Sequence, residues 1–101
     1  MSLSKDKIKE LKDYFVSKPV YSASIFGSFS RGEDNEESDV DILLDLDYSK
    51  PIGLQFIQMK IDLEKILNRK VDLLSKNGLD KDLQKEIEHD KTLIYERGSQ
   101  R

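Results

Sequence analysis

The sequence has no cysteine, so neither a disulfide framework nor a thiolate metal site can be built from it. No apolar run approaches the length needed to span a bilayer. The stretch from Met1 to Lys12 is charged throughout, unlike a secretory signal. These absences lead to the expectation of a soluble, cytoplasmic protein with no membrane association. Positive charge is not in excess either: 17 Lys+Arg stand against 20 Asp+Glu, a formal net charge of −3. Proteins that grip a nucleic-acid backbone are usually basic, because phosphate contacts supply most of that affinity, so no nucleic-acid template is expected. Lys5, Lys7, Lys9 and Lys12 do gather, but with acids interleaved, as on a solvated helix face. Apolar residues are scarce at 37%, and charged residues equal them at 37%. With 101 residues, the chain has room for a single domain, 1–101, and for no second core.

The apolar residues that are present fall in periodic runs. Ser4 is placed to cap a helix reaching about Ser17, with Ile8, Leu11 and Phe15 on one face and Pro19 as the stop. Val20 to Phe26 has the composition of a buried strand and ends at Gly27. Gly27-Ser28-Phe29-Ser30-Arg31-Gly32 predicts a turn opening into a short helix, and Glu33 to Ser38 an acidic loop. From Asp39 to Leu46 the residues alternate, with Val40, Ile42, Leu44 and Leu46 on one face and Asp39, Asp41, Leu43 and Asp45 on the other. Asp45 and Asp47 are expected to be solvated. Leu54 to Leu67 has a helical period, Val71 to Leu74 reads as a third strand, and Asn77-Gly78 as a turn. Asp80 caps a last helix through about His89, a helix-surface residue, and Leu93, Ile94 and Tyr95 form a closing apolar segment. The alternation predicts an α/β (α+β) fold, a small mixed sheet with helices packed on it.

The chemistry lies in one arrangement. A strand delivers the chain to Gly27-Ser28, and ten residues later a second strand opens with Asp39-Val40-Asp41. Residues two apart on a strand share a face, so the two carboxylates project together. Adjacent carboxylates repel unless a cation joins them, and magnesium favours carboxylate with phosphate oxygen. Glycine lets the backbone approach a phosphate, while the amides that follow and the Ser28 hydroxyl donate to its oxygens. Arg31 is one turn along, with forked donors that suit a phosphate. Asp72 adds a third carboxylate on the non-aliphatic face of its strand. Gly-Ser alone is usually a turn and Asp-x-Asp alone usually a solvated edge. Both at one fixed spacing in about a hundred residues have a chance probability on the order of 10⁻³.

The segments Gly27 to Gly32, Ser38-Asp39-Val40-Asp41-Ile42 and Val71-Asp72-Leu73 together resemble the polymerase-β-like nucleotidyltransferase superfamily. In size the chain resembles the minimal nucleotidyltransferases, the antitoxin halves of HEPN/MNT toxin–antitoxin pairs. The resemblance implies the nucleotidyltransferase fold, with Gly27 and Ser28 binding the triphosphate of ATP and Arg31 assisting. It implies that Asp39 and Asp41 bind two Mg²⁺ ions and that Asp72 is the third catalytic carboxylate, on the nucleophile side. The reaction implied is transfer of a nucleoside monophosphate to a hydroxyl of a partner protein, a HEPN-type toxin. Two alternatives stay open: an antitoxin that acts by binding alone, and transfer to a small hydroxylated molecule such as an aminoglycoside.

Overall fold

A computed structural model describes residues 3–27 and 39–98. The expected short helix and acidic loop, with Ser28 and Arg31, lie outside the described residues. Helix α1 spans Lys5–Phe15, and the Ser4 hydroxyl accepts from the Lys7 N–H at 3.1 Å, as the capping pattern predicts. Strand β1 is Val20–Phe26 and β2 is Val40–Leu46. Helix α2, Gly53–Leu67, ends at Asn68, whose φ of 53° is the left-handed turn that closes many helices. Strand β3 is Val71–Ser75; a 3₁₀ turn at Lys76–Gly78 leads to α3, Lys81–Asp90, capped by the Asp80 carboxylate, which accepts from the Leu83 N–H at 2.8 Å.

With Thr92–Glu96 as β4, the sheet order is β3-β2-β1-β4, with β2 and β3 parallel and the other neighbours antiparallel. Helix α2 makes the crossover between the two parallel strands. Leu11 and Phe15 of α1 and Met59, Leu63 and Leu67 of α2 pack into one cluster with Ile25, Ile42, Leu44 and Leu73. That covers the aliphatic face of β2 and frees its alternate face for Asp41. Ile87 of α3 is buried outside this cluster, and with Leu83 it walls a cavity shared with Phe26, the register partner of Asp41.

Three features differ from the sequence reading. The closing segment is a strand, β4, Thr92–Glu96, hydrogen-bonded to β1. Its only buried residue is Ile94, too little alternation to announce a strand. Asp47 is not solvated: it is 4% exposed, takes two hydrogen bonds from Ser49 and is ion-paired to Arg97 at 2.9 Å. Lys7 is not simply part of a solvated face, since its ammonium donates to the Ile66 carbonyl at 2.8 Å and ties α1 to the end of α2.

Candidate active site

Asp41 is the second residue of β2, half-buried, and its Cα stands opposite Phe26 of β1 and Asp72 of β3. Register partners on adjacent strands share a face, about 4.8 Å apart in the hydrogen-bonding direction. The parallel pairing therefore brings Asp41 and Asp72 side by side from positions that the sequence separates by a whole helix. Asp39 is exposed immediately before β2, and Asp72 is exposed on β3. The half-buried Asp45 lies four residues along β2, away from this end.

Gly27 follows β1 with φ of +75°, a conformation that residues with a side chain rarely adopt. A Cβ placed there would collide with the Asp41 Oδ2 and stand 3.3 Å from its Cγ. The backbone of Gly27 thus sits directly against the Asp41 carboxylate. Gly27, Asp41 and Asp72 form a row across β1, β2 and β3 at one end of the sheet. On the β3 side the row opens into a cleft of about 800 Å³ whose walls include Asp39, Asp72, Lys60, Asn68, Arg69 and Lys70.

Among the described residues, no three His, Cys, Asp or Glu side chains converge as a ready-made metal cluster does. Mutual repulsion is the physical reason to expect carboxylates to stay apart without a cation. The donor chemistry still fits magnesium, which in nucleotide sites is held by one or two carboxylates while substrate phosphates and water complete its coordination. Asp41 and Asp72 meet that requirement as neighbours, with Asp39 beside them. His89 is exposed on α3 and lines a different cavity, with Lys81, Gln84, Lys85 and Glu88.

Residues 9–100 match the family model described as polymerase beta, nucleotidyltransferase. The chain belongs to that nucleotidyltransferase family. The protein MJ1215 of Methanocaldococcus jannaschii is 46% identical over 71 residues, covering 70% of this chain and 78% of its own. Protein adenylyltransferase MntA of Thermococcus cleftensis is 39% identical over 79 residues, 78% of this chain and 76% of that protein. Among solved structures, a toxin–antitoxin with AMP-PNP superposes with a TM-score of 0.72 at 20% identity, covering 97% of this chain and 77% of that one. The complex of a tri-AMPylated Shewanella oneidensis HEPN toxin with its MNT antitoxin gives 0.62 at 19% identity, over 90% and 68%. At those identities the likeness is one of fold, and it agrees with a nucleotidyltransferase built on a small mixed sheet.

One residue of this cleft had no signal in the sequence. Glu64 of α2 lines the same cleft as Asp39 and Asp72, and its carboxylate accepts from the Val71 backbone N–H at 3.1 Å. On a helix rich in exposed charge it looks like any other solvated acid; only the fold of α2 onto β3 distinguishes it.

Proposed function

We propose that this nucleotidyltransferase is a metal-dependent protein adenylyltransferase: it moves AMP from ATP to a hydroxyl of a partner protein, a HEPN-type toxin that it neutralises in the cytoplasm. The observation that carries the reading is the row of Gly27, just past the end of β1, with Asp41 on β2 and Asp72 on β3. The adenylyltransferase name of a 39% identical relative supports the reaction. AMP-PNP and an AMPylated HEPN toxin in the complexes of fold neighbours support the nucleotide and the partner.

Each residue has a definite task in this scheme. Gly27, lacking a side chain, lets the triphosphate approach the backbone beside Asp41, and Ser28 and Arg31 bind its oxygens. Asp39 and Asp41 would hold the two magnesium ions that accompany the triphosphate, with Asp72 as the third carboxylate, on the acceptor side. Bound magnesium supplies Lewis-acid polarisation of the phosphate and neutralises charge on the attacking and leaving oxygens. The acceptor oxygen forms a bond to the α-phosphorus as the bond from that phosphorus to the bridging oxygen breaks; pyrophosphate leaves and the hydroxyl proton passes to solvent. The acceptor enters from the β3 side, because Gly27 lies on the other side of Asp41 and the cleft opens beside Asp72. The protein contributes position and charge, with no need of a histidine base.

Label transfer from α-³²P-ATP to a purified HEPN-type partner tests this. The wild type labels the partner in magnesium. Asp41→Asn lowers the rate roughly 10²-fold or more, since loss of metal stabilisation is worth several kcal/mol and each 1.36 is tenfold. Activity of that variant within a few-fold of wild type overturns the assignment.

A further inference from the structure

Among the described residues, strand β3 is an outer strand of the sheet and pairs with β2 alone. The Lys70 carbonyl accepts from the Val40 N–H at 2.9 Å. Backbone groups alternate sides along a strand, so the next amide, Val71 N–H, points away from β2 to the outer edge, where no strand among the described residues receives it. Glu64 reaches across from α2 and accepts that hydrogen bond at 3.1 Å. Lys60, one turn earlier on the same helix, holds the same carboxylate oxygen at 3.4 Å. The bond from Val71 is the main reason the Glu64 carboxyl lies below the usual carboxylate range. Asp72 is the next residue, and its Cα stands opposite that of Asp41.

We infer that Glu64 is a positioning residue: by anchoring the first amide of β3 it fixes Asp72 beside Asp41 and so sets how tightly the carboxylates hold the divalent ion that accompanies the nucleotide. This role rests on the metal–nucleotide reading of the site given above. It goes beyond an edge cap, which would stabilise the sheet and leave metal affinity alone. Outer hydrogen-bond partners that orient metal-binding groups typically change metal affinity 10–100-fold when removed.

The test compares wild type, Glu64→Ala and Glu64→Gln by two readouts. The first is the hydrogen exchange of the Val71 amide by NMR, without ligand. The second is the magnesium concentration giving half-maximal ATP binding by calorimetry. In Glu64→Ala, Val71 exchanges roughly 3–10-fold faster, as the loss of one net hydrogen bond allows, and the magnesium requirement rises about tenfold. Glu64→Gln keeps an oxygen acceptor at the same reach and stays close to wild type in both. If Glu64→Ala does not fold, Glu64→Asp, one methylene too short to reach Val71, takes its place with the same expected results. A wild-type magnesium requirement in Glu64→Ala overturns the role, and so does unchanged Val71 exchange. A Glu64→Gln protein as impaired as Glu64→Ala overturns it too, because charge and not the hydrogen bond would then matter. Equal ATP binding by wild type with and without magnesium overturns the reading of the site itself and this role with it.

Discussion

Gly27 is the residue where backbone and chemistry constrain each other most closely. Its φ of +75° and the absence of room for a Cβ beside Asp41 are separate demands, and only glycine meets both. Gly27→Ala should therefore lower stability by roughly 1–2 kcal/mol from the left-handed backbone alone. It should reduce nucleotidyl transfer much further than that loss explains, because the new methyl displaces the Asp41 carboxylate. Thermal melts alongside label transfer separate the two effects; a stable variant with wild-type transfer contradicts this account of Gly27. Asp72 permits a cleaner test. Asp72→Asn removes one of several facing negative charges, so stability without ligand should hold or rise slightly. Magnesium with ATP at a hundredfold excess should add about 2.7 kcal/mol to the wild type and little to the variant. If Asp72 is only a strand residue, the variant melts lower without ligand and responds to magnesium and ATP as wild type does. The pairing of Asp39 with Asp41 was legible because their spacing is local, one residue just before β2 and one just inside it. The contact of Gly27 with Asp41 and the reach of Glu64 to Val71 were not, since they depend on register and on how α2 packs.

At the level of elements, periodicity served wherever an element buries a full face. Strand β2 buries its even positions Val40 to Leu46 and keeps Asp41 and Asp45 only half-buried, with Leu43 the one odd position that is buried, and α2 repeats Met59, Leu63 and Leu67. Both boundaries and faces follow from that. Strand β4 has one buried side chain and draws its stability from backbone pairing with β1, which no local pattern encodes. The same missing strand explains Asp47. Its partner Arg97 lies fifty positions away and arrives only because β4 pairs with β1; Arg97 also stacks over the Tyr21 ring, 4.6 Å from its centroid. Hydrogen bonds from Ser49 and Arg97 hold the Asp47 carboxyl well below the usual carboxylate range. A carboxyl depressed in the folded state contributes stability above its unfolded value near 3.8 and loses it as pH falls toward the lower folded value. Asp47→Asn should thus be less stable than wild type at pH 7, and the gap should narrow below about pH 4. Urea unfolding of both proteins at pH 7 and pH 3 checks this; a gap that is constant with pH means the carboxylate charge contributes nothing.

Over the whole molecule, sparse apolar content is concentrated where it builds the site. Helices α1 and α2 cover one face of the sheet, so that the opposite face at one end is left to Asp41 and Asp72. Helix α2 is apolar beyond its buried side as well: Leu54, Ile57 and Ile61 are 84%, 57% and 42% exposed. This apolar surplus has no clear local signature, because Leu54, Ile57 and Ile61 interleave in sequence with Phe56, Met59 and Leu63, which pack inward. The central claim, that these carboxylates are a metal–nucleotide site, is tested most directly by calorimetric titration with ATP in magnesium and in EDTA. ATP should bind in magnesium and lose that affinity in EDTA, since the carboxylates then face the triphosphate unshielded. Equal affinity in the two buffers would contradict it.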